Sequence, residues 1–146
     1  MKATVSNTRV SSRQPMNQMH AATQQRCVRV LIVDDNADVA DSLSMLFRLY
    51  GHHVCTAYDG LSAIEEGRRF QPDVAIVDIS MPGLSGYDVA RTLREICGDK
   101  LLLVAVTALS RIQDKLRARQ AGFDHHMAKP VDFEELRSLL PSRCKQ

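Results

Sequence analysis

The chain has 146 residues, 45% of them hydrophobic and 25% charged, which suits one soluble domain with a packed core. Its formal net charge of +2 gives no indication of binding to nucleic acid or to an acidic membrane surface. No apolar run approaches the roughly 20 residues that span a bilayer, and we expect a cytoplasmic protein.

The beginning of the chain differs in composition from the rest. Residues 1–27 are polar, contain four basic and no acidic side chains, and have no helical or strand periodicity. Such a segment cannot bury enough apolar surface to fold, so we expect a disordered tail there. The expected domain is residues 28–141, and residues 142–146 form a short C-terminal tail.

Short β-branched runs alternate with helical patterns along the expected domain. Each run is followed by apolar residues at helical spacing, and Asn36, Ser85 and Asp132 are suitable N-caps for three of the helices. This alternation predicts an α/β fold with a five-stranded parallel sheet and helices on both of its faces. The predicted strands are Val28–Val33, His53–Ala57, Val74–Val77, Leu101–Val106 and His125–Ala128.

Polar residues stand where four of the five strands end. Asp34 and Asp35 follow the first strand, Asp78 the third, Thr107 the fourth and Lys129 the fifth. Because the carboxyl ends of parallel strands meet at one edge of a sheet, we expect these side chains to converge in one pocket.

The chemistry of such a pocket follows from its charges. Two carboxylates a few ångströms apart repel by about 4 kcal/mol at an effective dielectric of 20, and a hard divalent cation relieves this repulsion. A carboxylate is an established acceptor of phosphoryl groups, whose transfer a cation, a lysine and a hydroxyl assist. Any one of these residues alone is better explained as a cap, a turn former or a surface charge, so the prediction depends on all four strand ends together.

Four segments resemble the signature segments of response-regulator receiver domains. They are Val30-Leu31-Ile32-Val33-Asp34-Asp35, the run from Asp78 to Tyr87 (DISMPGLSGY), Thr107-Ala108 and Lys129-Pro130, and the match extends from about Val28 to Leu140. The resemblance implies a doubly wound, flavodoxin-like (βα)5 fold with strand order 2-1-3-4-5. It also implies a role in two-component signal transduction, in which the domain catalyses only its own phosphorylation and dephosphorylation.

The resemblance assigns a phosphoacceptor and a metal site. It implies that Asp78 accepts the phosphoryl group and that Mg²⁺, or Mn²⁺, is bound by Asp35, Asp78 and the backbone carbonyl of Ser80. Asp34 is expected to act mainly through a water molecule bound to the metal.

The remaining roles concern the phosphoryl oxygens and the switch. By the same resemblance Lys129 pairs with the phosphoryl oxygens, Thr107 donates its hydroxyl and the amide of Ala108 assists, and the Lys129–Pro130 peptide is cis. The switch couples Thr107 to an aromatic residue three positions before Lys129. Here that residue is His126, whose ring is smaller and titratable, so this chain departs from the family pattern. Our hypothesis is that His126 still acts as the gate.

The implied partners are proteins. They are a histidine kinase or a histidine phosphotransfer protein, and a downstream target that binds the face formed by the fourth helix, the fifth strand and the fifth helix. We expect no nucleic acid or membrane partner, and a monomer or a weak homodimer. The alternative is a pseudo-receiver that binds partners without phosphorylation. Both a stand-alone receiver and the receiver of a hybrid histidine kinase fit the sequence.

Overall fold

The computed structural model describes residues 27–108 and 112–141. The two predicted tails, residues 1–27 and 142–146, lie outside this part of the chain except for Cys27. Within it, five strands alternate with five helices in chain order. No helix among the described residues is long and apolar enough to cross a bilayer.

The five strands form one fully parallel sheet. Its order is β2-β1-β3-β4-β5, which confirms the predicted doubly wound fold. The strand bounds differ from the predicted ones by a residue at some ends, which is the usual uncertainty of such boundaries. The strands are β1 (Arg29–Val33), β2 (His53–Ala57), β3 (Val74–Asp78), β4 (Leu102–Thr107) and β5 (His125–Ala128).

The helices begin where the sequence offers capping side chains. Asn36, Asp59, Ser85 and Asp132 each accept hydrogen bonds from backbone amides in the first turn that follows. These caps fix where each helix leaves the sheet, and therefore how long the loops at the strand ends are. The helices are α1 (Ala37–Leu49), α2 (Gly60–Phe70), α3 (Gly86–Cys97), α4 (Ile112–Ala121) and α5 (Phe133–Ser138).

The sheet separates two hydrophobic cores. One core contains Phe47 of α1 and Leu136 of α5, and the other contains Ala63 of α2, Leu93 of α3 and Ala118 of α4. All five residues of β3 are buried, as expected for a strand covered by helices on both faces. The centre of the sheet is therefore fully buried, and its carboxyl edge carries the polar side chains.

Candidate functional site

Three carboxylates meet at the carboxyl edge of the sheet. Asp34 and Asp35 follow β1, Asp78 ends β3, and one oxygen of each lies within 4.8 Å of the others. Asp34 and Asp78 are each only 4% exposed, whereas Asp35 is exposed. The pocket thus has two buried acids in its floor and a third acid at its rim.

Lys129 lies against the two buried acids. Its Nζ is 3.0 Å from Oδ2 of Asp34 and 3.5 Å from Oδ2 of Asp78, while its amide donates to the carbonyl of Thr107 at 2.8 Å. The Lys129–Pro130 peptide bond is cis. A single ammonium therefore partly neutralises two carboxylates from different strands.

Backbone amides fix the orientation of both buried acids. Oδ1 of Asp34 accepts from the amide of Asn36 at 2.9 Å, and Oδ1 of Asp78 accepts from the amide of Ser80 at 3.0 Å. Because each acid uses its Oδ1 in its own loop, the Oδ2 atoms are the ones directed at Lys129. Local turn geometry thus presents one oxygen of each acid to the pocket.

The protonation of this site reflects burial as well as charge. Burial raises the pKa of Asp78 above its ordinary value. The hydrogen bond from the Ser80 amide and the charge of Lys129 lower this pKa, whereas the charges of Asp34 and Asp35 raise it further. Burial lowers the pKa of Lys129, because it disfavours the charged form. The hydrogen bonds that Lys129 donates to Asp34 and Asp78, together with the negative charges of these acids, outweigh burial and raise the pKa. The site therefore contains a carboxylate that a counter-charge would stabilise.

The acidic cluster has dimensions that fit a small divalent cation. Two ligands on opposite sides of Mg²⁺ lie about 4 Å apart, because each bond is about 2.1 Å long. The spread of 4.8 Å among the carboxylate oxygens is close to that size, and oxygen is the ligand atom that Mg²⁺ prefers. Asp35 lies in the loop after β1, Asp78 ends β3, and Ser80 lies in the loop that follows β3.

Close backbone packing holds the loop after β3 beside the acids. The amide of Ile79 donates to the carbonyl of Val106, and the amide of Gly86 donates back to the carbonyl of Ile79. A Cβ atom on Gly86 would lie 2.5 Å from the carbonyl oxygen of Asp78, so only glycine fits there. The start of α3 is thereby fixed against the strand that carries Asp78.

Thr107 and His126 lie on one face of the sheet. Thr107 is buried at the end of β4, with Ala108 exposed beside it. His126 pairs with Ala105 across the β4–β5 ladder, and paired or alternate residues of parallel strands point to the same face. The two candidate switch residues are therefore neighbours on the face that α4 covers.

His126 has no hydrogen-bond partner for either ring nitrogen among the described residues, although both atoms are buried. Burial lowers its pKa, with Lys115 acting in the same direction and Asp114 against it. Packing alone therefore holds the ring in place. Among the described residues, Asp34, Asp35 and Asp78 are the one group of three or more His, Cys, Asp or Glu side chains close enough to hold a metal ion, and His126 is not part of it.

Several contacts between helices and loops were not predicted from the sequence. Arg94 of α3 donates to the carbonyls of Leu101 and Gly122 and to Asp124, and Arg117 of α4 lies 4.4 Å from the centre of the Tyr87 ring. The Lys129–Asp34 ion pair was also missed. No local pattern signals such contacts, because they join residues far apart in the chain.

Known proteins resemble this chain in sequence and in fold. The family model for the response regulator receiver domain matches residues 30–141. The probable transcriptional regulatory protein TcrX of Mycobacterium tuberculosis is 42% identical over 118 residues, covering 77% of this chain and 50% of that protein. The chain spans about half the length of the curated relatives it matches.

Solved structures agree with this assignment. The receiver domain of sensor histidine kinase PA1611 from Pseudomonas aeruginosa, with a magnesium ion in its active-site cleft, is 27% identical with a TM-score of 0.68. The match covers 77% of this chain and 93% of that one. A Burkholderia pseudomallei response regulator, 23% identical, shares the fold with a TM-score of 0.74 over 79% of this chain and 67% of its own. This protein belongs to the response regulator receiver domain family of two-component signalling.

Proposed function

We propose that Asp78 accepts a phosphoryl group from a phosphohistidine and that this changes the protein-binding surface of the domain. The observation that carries the proposal is the buried Asp78 carboxylate, which lies within reach of Asp34, Asp35 and Lys129. Phosphorylation on aspartate is the general property of the family to which the chain belongs.

The residues of the site have different roles in the phosphoryl transfer. An oxygen of Asp78 attacks phosphorus, a P–O bond forms, and the P–N bond breaks with its electron pair leaving on the imidazole of the donor. Lys129 is positioned to move from the Asp78 oxygen to a phosphoryl oxygen, and the Thr107 hydroxyl and the Ala108 amide donate to the others. The domain performs this chemistry only on itself and is not an enzyme with an external product.

Mg²⁺, or Mn²⁺, suits the site, and we propose Asp35, Asp78 and the carbonyl of Ser80 as its ligands, with Asp34 acting through water. A bound cation supplies charge neutralisation for the arriving phosphoryl oxygens. Lys129 lies closer to Asp34 than to Asp78, with Nζ–Oδ2 distances of 3.0 Å and 3.5 Å, which favours the indirect role for Asp34. The magnesium in the cleft of the Pseudomonas receiver domain supports this choice.

An apolar groove of this chain lies beside the site and suits the binding of a phosphohistidine donor. A groove of about 640 Å³ runs between α1 and the loop after β5, and Leu43, Leu46, Lys129, Pro130 and Phe133 are among its lining residues. Lys129 lines this groove and its Nζ lies 3.5 Å from Oδ2 of Asp78, so a helix bound there would bring its phosphohistidine close to Asp78. We propose that a histidine kinase or a histidine phosphotransfer protein binds this groove, and that the downstream target binds the α4–β5–α5 face.

The alternative function is a pseudo-receiver that binds partners without phosphorylation. His126 favours it, because a smaller, titratable ring stands where the family's switch has an aromatic residue. In both cases we expect a cytoplasmic monomer or weak homodimer without nucleic acid or membrane partners. A stand-alone receiver and the receiver part of a hybrid kinase are both consistent with the sequence.

Intact mass spectrometry tests the proposal. The protein is incubated with a small phosphodonor and Mg²⁺, with and without chelator, alongside Asp78→Asn and the exposed control Asp99→Asn. We expect a gain of one phosphoryl mass in the wild type and in Asp99→Asn, and none with chelator or in Asp78→Asn. A folded wild-type protein that gains no mass and binds no beryllofluoride would contradict the proposal in favour of the pseudo-receiver.

A further inference from the structure

The buried glycine that begins α2 packs against the loop that follows β3. A Cβ atom on Gly60 would lie 2.7 Å from Cβ of Leu84, 3.0 Å from its Cδ2 and 3.0 Å from its carbonyl oxygen. The Cβ and the carbonyl oxygen of Leu84 are placed by its backbone, so rotation of the leucine side chain does not move them away. Only glycine therefore lets α2 approach the loop this closely.

The start of α2 is itself held in place on the side away from the loop. Asp59 caps the helix, with its Oδ1 accepting from the amide of Ser62 at 2.8 Å and its Oδ2 from the hydroxyl of Ser62 at 3.1 Å. Two residues before the cap, the carbonyl of Ala57 accepts from the amide of Asp34 at 3.1 Å. A methyl group added at the start of α2 is therefore expected to displace Leu84 rather than the helix.

Leu84 belongs to the same loop as Ser80, whose carbonyl is a proposed ligand of the cation. The first residue of this loop, Ile79, donates its amide to a carbonyl of β4 at 2.9 Å, and Gly86, just after the loop, packs against Asp78. Because both ends of the loop are held, a displacement of Leu84 is taken up between them, where Ser80 lies. Mg²⁺ demands near-ideal octahedral geometry with bonds about 2.1 Å long, so a small shift of that carbonyl weakens its binding.

We propose that Gly60 is a positioning residue for the metal site, because its contact with Leu84 sets the place of the Ser80 carbonyl and with it the affinity for Mg²⁺. The inference rests on the proposed function, which supplies Ser80 as a ligand. Gly60 acts through Leu84 and not by contact with the cation. A merely structural role for this glycine predicts a loss of stability without a matching loss of magnesium affinity.

A second glycine of α2 provides the matched comparison. Gly67 lies about two turns further along the helix and is also buried, and a Cβ atom on it would collide with Cδ2 of Leu93, the far end of a side chain of α3. Outside α2 itself, and among the described residues, that Cβ atom would meet atoms of Leu93 alone within 4 Å. The same substitution at Gly67 therefore disturbs the packing of α2 on α3 without touching the loop that carries Ser80.

Titration of the full chain with magnesium chloride tests this inference. Wild type, Gly60→Ala and Gly67→Ala are compared, and backbone amide shifts in NMR spectra report both that each variant is folded and its dissociation constant for Mg²⁺. The rate of phosphorylation by a small phosphodonor is measured by intact mass at low and at saturating Mg²⁺. A fourth and a fifth variant, Leu84→Gly and Leu84→Gly with Gly60→Ala, complete a double-mutant cycle.

We expect Gly60→Ala to weaken magnesium binding by about tenfold, the size of effect that residues supporting metal ligands have. Phosphorylation of this variant should be slow at low Mg²⁺ and recover at saturating Mg²⁺, because the acceptor Asp78 is unchanged. Gly67→Ala should retain the wild-type affinity within about twofold, even where it lowers stability. In the Leu84→Gly background, where the side chain that the new Cβ atom meets is gone, Gly60→Ala should weaken binding by a smaller factor than in the wild type.

Three results would overturn the inference. They are an unchanged magnesium affinity in folded Gly60→Ala, an equal loss of affinity in Gly67→Ala, and the same loss from Gly60→Ala with and without the Leu84 side chain. Any of these in a wild type that binds Mg²⁺ and gains a phosphoryl group refutes only the positioning role. A wild type that binds Mg²⁺ but gains no phosphoryl mass refutes only the phosphoacceptor, and one that binds no Mg²⁺ refutes the proposed ligands and the role of Gly60 together.

Discussion

Helices α3 and α4 lie side by side on one face of the sheet, yet the chain anchors them in different ways. Helix α3 buries Tyr87, Val89 and Leu93, whereas Ala118 and Ala121 are the buried side chains of α4 in the part that the structure describes. Large apolar side chains contribute about 1.5–3 kcal/mol each on burial, and an alanine contributes far less. The comparison indicates that less burial of apolar side chains anchors the described part of α4 than anchors α3.

Polar and aromatic contacts hold α4 in addition to its buried Ala118 and Ala121. Arg117 lies over the ring of Tyr87, an interaction of about 0.5–1 kcal/mol at an exposed position. Arg94 of α3 reaches the carbonyl of Gly122, just after α4. These two contacts join α4 and its C-terminal end to α3 without burying a large apolar side chain of α4.

The largest test of the comparison removes a leucine from each helix. Leu93 is fully buried and Leu116 is exposed, so Leu93→Ala should lower the free energy of unfolding by about 2–5 kcal/mol. Leu116→Ala should change it by less than about 0.5 kcal/mol. Denaturant unfolding measures both values. Similar losses in the two variants would contradict the difference in anchoring.

A second test loosens the start of α3. Gly86→Ala would place a Cβ atom 2.5 Å from the carbonyl oxygen of Asp78 and 2.6 Å from Cα of Ile79, which are backbone atoms that cannot turn aside. We expect a loss of about 1–3 kcal/mol and slower phosphorylation of Asp78. Ser85→Thr, which retains a capping hydroxyl, is the control. Unchanged stability and phosphorylation in Gly86→Ala would show that α3 is not fixed to the phosphoacceptor strand.

The third test changes the charge at the strand ends. Because the pKa of Asp78 is raised above the ordinary 3.8, the folded state binds its proton more tightly than the unfolded state. Ionisation of Asp78 therefore destabilises the fold as pH rises above 3.8, and Asp78→Asn should stabilise metal-free protein near pH 7. The stability difference between Asp78→Asn and the wild type should vanish below pH 3.8.

Thermal unfolding across pH, in the presence of a chelator, measures this difference, with Asp99→Asn as the control. Hydrogen exchange on the same samples should show larger changes in α4 than in α3. A gain that persists at low pH, or exchange changes confined to α3, would count against this account.

The smallest expected effect concerns the histidine beneath α4. Burial lowers the pKa of His126 below its ordinary 6.5, with Lys115 and Asp114 as its charged neighbours. Its contribution to stability is therefore complete above pH 6.5 and decreases as the pH falls below that value. Between about pH 7.5 and 5.5 the opening free energy of α4 should fall by less than about 1 kcal/mol, while that of α3 stays constant.

Hydrogen exchange, corrected for its intrinsic pH dependence, measures these opening free energies. His126→Phe retains a ring without a titratable group and should abolish the difference, whereas the exposed His53→Phe should not. Equal pH responses in the wild type and His126→Phe would exclude this histidine as the cause.

The sequence by itself determined the fold and which residues lie at the acidic edge of the sheet. Alternating β-branched runs and capped helices require parallel strands, and parallel strands bring their carboxyl ends together, so Asp34, Asp78, Thr107 and Lys129 could be assigned to one edge. This inference needs only the order of the elements. It remains valid when the strand bounds are wrong by a residue.

The tertiary structure decided which of these groups touch and how α4 is held. Lys129 reaches both Asp34 and Asp78 because β1 and β3 are adjacent and its long side chain extends across from β5. The contact of Arg117 with the Tyr87 ring likewise depends on how α3 and α4 pack against each other. Local sequence patterns fix periodicity and caps, whereas contacts between distant residues depend on the packed positions of whole helices and on side-chain rotamers.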